Sequence, residues 1–273
     1  MSGAEIFGFG VGAIVVFYMA FTGYMVLNES RIIFNPQREI TATPSQHGLE
    51  FSEHYFNTQD GFRLHGWFVP AVAPKGIVLF FHGNTGNLSH RIETLEILHG
   101  LQYSVFIFDY RGYGRSEGKP SEDGTYQDAR AAWEHVTGAL NADPGDVVIF
   151  GRSLGGAIAT HLATEVTPRA LIVESSFTSM PALGQQVYPL LPVKYVSRTR
   201  YDSLGRIRAI KCPLLIVHSR DDELIPFTHG QALYDAYTGD KTLLAIRGRH
   251  NDGFVFSGAM YSRGVAEFLG RYE

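Results

Sequence analysis

A serine stands at the centre of the segment Gly151-Arg152-Ser153-Leu154-Gly155, directly after the apolar run Val147–Phe150. A serine hydroxyl is a weak nucleophile at neutral pH, so a catalytic serine needs exposure, a base and nearby N–H groups. A sharp turn from a strand into a helix exposes the serine, and the helix N-terminus supplies unpaired N–H groups. We therefore predict that Ser153 is the nucleophile of a serine hydrolase.

The G-x-S-x-G pattern occurs a second time, at Gly114-Arg115-Ser116-Glu117-Gly118. The pattern alone is weak in a chain with 30 glycines among 273 residues, because motif matches are only hypotheses. The second copy follows Arg111-Gly112-Tyr113 and leads to Lys119-Pro120, so neither a strand before it nor a helix after it is predicted. This context selects Ser153 and predicts that Ser116 is an ordinary loop serine.

A hydrolase of this type also needs an acid and a base, in the chain order serine, acid, histidine. Loops after two predicted strands offer both: the acidic run 221–223 and His250. The carboxyl ends of strands are the edge at which α/β sheets place their chemistry. We predict that His250 is the general base and that Asp222 orients it and stabilises its charged form. Asp221 is the competing acid, and the carboxylates not used for catalysis are expected to form a solvated turn.

The transition state of acyl transfer carries a negatively charged oxygen that needs hydrogen-bond donors. The segment Phe80-Phe81-His82-Gly83-Asn84 ends an early strand and turns at Gly83. We predict that the backbone N–H of Asn84 and the backbone N–H of Leu154 form the oxyanion hole. His82 itself is expected to support the loop.

The elements that position these residues alternate between strands and helices, which is typical of an α/β domain with a largely parallel sheet. Residues 176–206 break this rhythm with three prolines, and we predict a small cap over the carboxyl edge of the sheet. The predicted strands are Arg63–Phe68, Gly76–Phe81, Ser104–Asp109, Val147–Phe150, Ala170–Glu174, Leu214–His218 and Thr242–Ile246. The predicted helices are Ser89–His99, Thr125–Leu140, Leu154–Glu165, Thr228–Tyr237 and Ala259–Leu269.

The N-terminus forms a separate element. Residues 6–27 contain no charged side chain and are long enough to cross a bilayer as a helix. A cleaved signal peptide is the rival interpretation, but no Lys or Arg precedes Arg31 and no good cleavage site is present. We predict a single-pass transmembrane anchor in domain 1–28 and a hydrolase domain at 29–273. Arg31 and Arg38 follow the span, which favours a cytoplasmic hydrolase domain.

Composition narrows the remaining possibilities. A net charge of −4 gives no reason to expect nucleic acid as a partner. The single cysteine, Cys212, lies at the start of an apolar run and is predicted to be a buried core residue. No P-loop, zinc-ligand spacing or dinucleotide motif is found, so no cofactor and no metal is predicted. The oligomeric state is left open.

Five segments together resemble the α/β-hydrolase superfamily, and more narrowly the membrane-anchored ABHD-type serine hydrolases, a group that includes protein depalmitoylases and lysophospholipid lipases. The resemblance runs from about Arg31 to the C-terminus. It implies an eight-stranded sheet and an acyl-enzyme mechanism without a cofactor, and the distance to Ile225-Pro226 favours Asp222 over Asp221. The segments are His82-Gly83-Asn84, Asp109-Tyr110-Arg111-Gly112-Tyr113-Gly114, Gly151-Arg152-Ser153-Leu154-Gly155-Gly156, Asp222-Glu223-Leu224-Ile225-Pro226 and His250-Asn251.

The anchor and a basic segment favour acyl esters or thioesters of lipid-like or acyl-protein substrates. A local excess of positive charge can dock on anionic lipid headgroups. The alternative is that several of these residues pair with acids elsewhere in the fold. The basic residues are Lys194, Arg198, Arg200, Arg206, Arg208 and Lys211, and the first three are the predicted headgroup contacts. The predicted acyl-pocket residues are Tyr188, Leu191 and Phe254, with Leu190, Val193 and Phe256 as further candidates.

Two other functional classes compete with this interpretation. A membrane-tethered serine peptidase or amidase would use the same three residues, because the triad also cleaves amides. A non-catalytic binding module on the same fold would be expected to lack part of the triad, and here all three members are present in the sequence.

Overall fold

The computed structural model describes residues 3–273, so the first two residues of the predicted anchor domain lie outside the described part. Ten strands are assigned in this range. They are β1 (Asn35–Pro36), β2 (Ser52–Asn57), β3 (Arg63–Val69), β4 (Ile77–Phe81), β5 (Thr85–Gly86), β6 (Ser104–Asp109), β7 (Val147–Arg152), β8 (Ala170–Glu174), β9 (Leu214–Ser219) and β10 (Lys241–Ile246).

Eight of these strands form one sheet in the order β10-β9-β8-β7-β4-β6-β3-β2. The pairs from β10 to β6 are parallel, whereas β3 pairs antiparallel with both β6 and β2. The central strands are buried along their whole length, as expected where helices cover both faces of a sheet. The predicted mostly parallel, eight-stranded α/β-hydrolase architecture is confirmed.

Within residues 3–273, ten α-helices accompany the sheet. Two hydrophobic clusters form the core, one on each face of the sheet. Cys212 is buried, as predicted. The helices are α1 (Gly3–Leu27), α2 (Glu29–Ile33), α3 (Ile92–Gly100), α4 (Glu122–Glu134), α5 (Leu154–Leu162), α6 (Met180–Val187), α7 (Val193–Val196), α8 (Ser203–Arg206), α9 (Phe227–Ala236) and α10 (Gly253–Leu269).

Two of the differences from the sequence prediction concern β2 and α10. Strand β2 was not predicted, because four of its six residues are polar and its outer edge lacks a partner strand. Helix α10 begins at Gly253 rather than at Ala259, and Gly258 interrupts it with a φ of 47°. The predicted helix Ala259–Leu269 therefore covers only the part of α10 that follows this interruption.

Helix α1 is long and apolar enough to cross a membrane over Phe7–Leu27, with a mean hydropathy of 1.9. The side chains from Phe7 to Phe21 are exposed in the isolated protein. The chain then runs through α2 into β1, which pairs with β5 beside the carboxyl end of β4. The N-terminal segment therefore returns to the edge of the sheet that carries Gly83 and Asn84.

The segment predicted to be a cap, residues 176–206, contains α6, α7 and α8 and lies between β8 and β9. Ser179 caps α6 by accepting a hydrogen bond from the Ala182 N–H, and Pro181 occupies the first turn, where a missing N–H costs no helical bond. Leu183 on α6 and Leu191 between α6 and α7 line a cavity that also contains Ser153.

Candidate active site

Ser153 sits on a sharp turn between β7 and α5. Its φ of 55° and ψ of −119° lie outside the ordinary helical and strand regions. The neighbouring Gly155 allows this turn, because a Cβ atom there would lie 2.1 Å from the Phe81 carbonyl oxygen. The Ser153 N–H donates to Glu174 O (2.8 Å), and Ser176 Oγ donates to Ser153 O (2.8 Å). The turn at Ser153 is therefore held from both sides, and the Ser153 hydroxyl faces the cavity.

The structure brings Ser153, His250 and Asp222 together. His250 Nε2 lies 3.1 Å from Ser153 Oγ, and His250 Nδ1 lies 2.8 Å from Asp222 Oδ2. Because a carboxylate can only accept, Nδ1 carries the proton and Nε2 is left to accept the serine proton. The three residues come from the ends of β7, β9 and β10 and are separated by up to 97 positions in the chain.

The surroundings of Asp222 keep its carboxylate ionised. Burial acts to raise its pKa, but the His250 imidazole and the N–H groups of Ile225 and Leu224 lower it, and the result is a pKa below 3.8. Asp222 Oδ1 accepts from the Ile225 N–H at 2.8 Å and from the Leu224 N–H at 3.0 Å. One carboxylate oxygen therefore holds its own loop while the other holds His250.

A second histidine, His218, lies on the other side of Asp222. Its Nε2 is 2.8 Å from Ile225 O and 3.6 Å from Asp222 Oδ2. Burial lowers the pKa of His218, so the imidazole is uncharged at neutral pH and donates to the carbonyl. His218 is not among the site residues predicted from the sequence, although its position at the end of a buried strand, four residues before the acid, is a usable signal.

The acidic run does more than form a solvated turn. Asp221 and Glu223 are partly exposed, as expected, yet both bind the loop that carries His250. Glu223 Oε2 accepts from the His250 N–H at 3.0 Å, and Asp221 Oδ2 accepts from the Gly248 N–H at 3.3 Å. Of the two candidate acids, Asp222 is the one that contacts the imidazole.

The predicted oxyanion donors lie on the same cavity wall as Ser153. Leu154 is the first residue of α5, so its N–H has no partner within the helix. The Asn84 N–H has no acceptor among residues 3–273. The loop is fixed through other Asn84 atoms: Nδ2 donates to Ile33 O (2.9 Å), and O accepts from Tyr113 Oη (2.7 Å). The geometry thus leaves two N–H groups free beside the serine.

The second G-x-S-x-G segment lies in a loop, as predicted, but its serine is fully buried. Ser116 Oγ donates to Asp109 O at 2.6 Å and accepts from the His65 N–H at 2.9 Å. Both partners are backbone groups. No imidazole nitrogen of the described chain contacts this hydroxyl, so Ser116 holds loops together and lacks a base.

Ser153 opens into a cavity of about 630 Å³ with two contrasting sides. Arg91 is the most unusual lining residue, because no carboxylate in the described part of the chain lies within ion-pair distance of it and its Nε is buried without a partner. Burial, with nearby Arg152, lowers the pKa of Arg91 to about 10. The polar lining residues are Thr22, Glu29, Gln37, Asn84, Thr85, His90, Arg91, Arg152, Ser197 and Asn251 beside Ser153 and His250, and the apolar ones include Met25, Val26, Ile32, Met180, Leu183, Val187, Leu191, Val193 and Val196.

Some of the predicted acyl-pocket residues line the cavity and others do not. Tyr188, Leu191 and Val193 line the cavity. Phe254 is a correction: it does not line the cavity formed by the described residues, and it is buried with its ring centroid 3.9 Å from Arg152 Cζ. The ring packs on a buried guanidinium that pairs with Glu174 (Nε to Oε1, 2.7 Å). Leu190 and Phe256 are exposed.

The structure also shows where the basic cap residues lie. Five of the six are exposed, and none of the six forms an ion pair with a carboxylate of residues 3–273. Arg206 is the half-buried exception, and it stacks on Tyr126 with Cζ 4.7 Å from the ring centroid. The alternative that several of these residues pair with acids elsewhere is therefore wrong for the described chain.

Comparison with known proteins agrees with this architecture. The family model described as serine aminopeptidase, S33, matches residues 72–203. The α/β-hydrolase domain-containing protein WAV2 of Arabidopsis thaliana is 32% identical over 291 residues, which cover 97% of this chain and 94% of the relative. The chain belongs to the α/β-hydrolase family. It is a hydrolase with the esterase- and lipase-like features of that family.

Two further relatives bear on fold and activity. The lysophosphatidylserine lipase ABHD12 of Danio rerio is 35% identical over 187 residues, which cover 61% of this chain and 48% of that protein. The solved structure of the Pyrococcus furiosus esterase Pf2001 has a TM-score of 0.75 at 23% identity, covering 88% of this chain and 98% of the esterase. The second likeness shows the α/β-hydrolase fold.

Proposed function

We propose that this α/β-hydrolase is a membrane-anchored serine hydrolase that cleaves acyl esters or thioesters with a long acyl chain. The observation that carries the proposal is the contact of His250 with both Ser153 and Asp222 at the base of a largely apolar cavity. A nucleophile, a base and an orienting acid within hydrogen-bond reach are the requirements of covalent acyl transfer.

The proposed reaction has two halves. Ser153 Oγ attacks the acyl carbon while His250 Nε2 takes the hydroxyl proton, and the N–H groups of Asn84 and Leu154 stabilise the resulting oxyanion. His250 then gives its proton to the leaving oxygen or sulfur, which departs and leaves an acyl-serine ester. Water attacks this ester, gives a proton to His250, and the acid is released as the proton returns to Ser153. Asp222 stays ionised throughout and stabilises the imidazolium.

The two sides of the cavity support a single-chain lipid with an anionic headgroup as the preferred substrate. The apolar side suits the acyl chain, since burial of methylene groups is favourable by about 0.8 kcal/mol each. Arg91, which lacks a carboxylate partner, suits a phosphate or carboxylate on the leaving group. The lipase activity in the name of the Danio rerio relative agrees with this substrate class.

Membrane attachment is part of the proposal. Helix α1 would cross the bilayer, and the basic cap would face anionic headgroups through Lys194, Arg198 and Arg200, each contributing about 1 kcal/mol. Exposed Tyr195 and Leu190 lie among these cations on the cap, and an aromatic side chain beside lysine or arginine is typical of a membrane interface. The hydrolase domain would lie on the cytoplasmic side.

A fluorophosphonate probe and an ester assay on the detergent-solubilised full chain test this proposal. We expect Ser153→Ala to lose labelling and to lower kcat at least about a thousandfold, because the nucleophile is gone while the fold is retained. The ester panel compares p-nitrophenyl esters, lysophosphatidylserine, a monoacylglycerol with the same chain and an acyl-cysteine peptide. Lysophosphatidylserine is expected to be cleaved faster than the monoacylglycerol.

The matched control is Ser116→Ala, which alters the other G-x-S-x-G serine and should keep full labelling per folded molecule. Labelling that survives in Ser153→Ala, or that disappears in Ser116→Ala, would reject the assignment. A wild-type protein that cleaves aminoacyl naphthylamides but none of the esters would favour the peptidase alternative, which the aminopeptidase family description also raises.

A further inference from the structure

The C-terminal end of α1 differs from the rest of that helix. Its side chains are exposed from Phe7 to Phe21, but Thr22, Met25 and Val26 are half-buried. Residues spaced three and four apart share one face of a helix. All three half-buried residues line the cavity that contains Ser153, so one face of the helix end is part of the candidate active site.

Two sets of hydrogen bonds hold this helix end against the cap. Tyr18 Oη donates to Leu190 O at 2.8 Å. One turn beyond Val26, the Glu29 carboxylate accepts from Ser197 Oγ and from the Arg198 N–H (2.9 Å). The contacts are made at two levels along the N-terminal helices, which fixes the helix end relative to the cap.

The next residues of the chain hold the oxyanion loop. Ile33 O accepts from Asn84 Nδ2 at 2.9 Å, and the Asn35 N–H donates to Asn84 O at 3.1 Å. Strand β1 then pairs with β5. The N-terminal segment therefore contacts the acyl side of the cavity, the cap and the loop that presents the Asn84 N–H.

Part of the cavity wall is formed by the last residues of the apolar span. The span of Phe7–Leu27 includes the lining residues Thr22, Met25 and Val26. At 1.5 Å per residue, residues 22–27 account for about 9 Å of helix. A helix that crosses a bilayer over this span would place the mouth of the cavity at the depth of the lipid rather than in bulk water.

We propose that the last turns of α1 form one wall of the acyl-chain site, and that an acyl chain reaches Ser153 from the bilayer through the gap between α1 and α6. On the cap side of this gap lie Leu183 and Val187. The helix is then a specificity element as well as an anchor, and its side chains at positions 25 and 26 set how long a chain is accepted. This inference rests on the proposed function for the chemistry at Ser153.

The test places a tryptophan on adjacent positions of α1 in the full-length, detergent-solubilised protein. Val26→Trp fills the cavity wall, whereas Leu27→Trp adds the same side chain where the residue is 76% exposed and does not line the cavity. We expect Val26→Trp to lower the ratio of kcat/KM for p-nitrophenyl laurate over p-nitrophenyl acetate by about tenfold or more, since overfilled pockets reject long chains. Leu27→Trp should keep the wild-type ratio.

A second measurement separates this inference from the proposed function. Palmitate has no bond to hydrolyse, so its stabilisation of the fold against heat reports occupancy of the acyl site without turnover. We expect palmitate to raise the Tm of the wild type and Leu27→Trp, and to have little effect on Val26→Trp. An unchanged laurate-to-acetate ratio in an active Val26→Trp, or an equal palmitate shift in both variants, overturns the inference. A palmitate shift that Val26→Trp abolishes, in a wild type without esterase activity, rejects the proposed function alone.

Discussion

Two aspartates of this chain each lie between two histidines, and a G-x-S-x-G serine lies beside each cluster. Asp222 lies 2.8 Å from His250 Nδ1 and 3.6 Å from His218 Nε2. Asp109 lies 3.3 Å from His82 Nε2 and 4.0 Å from His65 Nδ1. The residue types match, so the difference between the clusters must come from position.

The serines show what position changes. Ser153 sits on a strained turn at a helix N-terminus and faces both an imidazole and a cavity. Ser116 sits in a sealed loop and bonds two backbone groups, and Asp109 is fully buried with Oδ1 accepting from the Leu88 N–H at 2.8 Å. In the proposed function one cluster exchanges protons with a substrate, whereas the other joins β6 to the loops around it. Reactivity here depends on access and on the backbone at the serine.

Removing the charge of the Asp222 cluster should have the largest effect on activity. Asp222→Asn is expected to lower kcat about ten-thousandfold, because the amide no longer holds the Nδ1–H tautomer of His250. Steady-state kinetics on a p-nitrophenyl ester measure this. Asp221→Asn is the adjacent control, and its exposed contact with Arg247 (3.3 Å) predicts a loss below about fivefold. The reverse ranking would transfer the acid role to Asp221.

The same substitution in the buried cluster should act on stability instead. Asp109→Asn is expected to reduce the free energy of unfolding by about 3 kcal/mol, because it removes a fully buried carboxylate that accepts from the Leu88 N–H and lies beside two histidines. Burial acts to raise the pKa of Asp109, but His65 and His82 lower it below 3.8. A carboxyl group whose pKa is lower in the folded than in the unfolded protein stabilises the fold at pH values above its unfolded pKa. This stabilisation is lost as the pH falls through the folded pKa.

Urea unfolding at several pH values checks this prediction. The difference in the free energy of unfolding between wild type and Asp109→Asn should be largest near neutral pH and should become smaller below pH 3.8. The folded variant should keep ester hydrolysis within the range of the Asp221→Asn control. If this difference in the free energy of unfolding grew in acid, or if folded Asp109→Asn were as inactive as Asp222→Asn, the two clusters would not differ in role as we infer.

The smallest expected effect is that of Ser116→Ala. The change leaves the His65 N–H without its acceptor and Asp109 O without one donor, which should lower the free energy of unfolding by about 1–3 kcal/mol. Thermal unfolding measures the shift in Tm. A variant as stable as the wild type would show that these two bonds contribute nothing net.

Features that depend on neighbouring residues could be predicted from the amino-acid order alone. An apolar strand, a G-x-S-x-G turn and a small-residue helix are adjacent in the chain, so the position of Ser153 was predictable, as were the buried strands and the apolar span of α1. The same local context separated Ser153 from Ser116. The order of serine, acid and histidine then predicted which loops would meet.

Features that depend on contacts between distant parts of the chain became visible only in the folded protein. Which carboxylate of the run 221–223 meets His250 is set by the path of two loops 28 positions apart. Phe254 packs on the buried Arg152 guanidinium and does not line the cavity. The lining of the cavity by Met25 and Val26 depends on how α1 docks on a cap more than 150 residues away along the chain. Local patterns describe the exposure of a side chain along its own element, but they carry no information about which other element covers it.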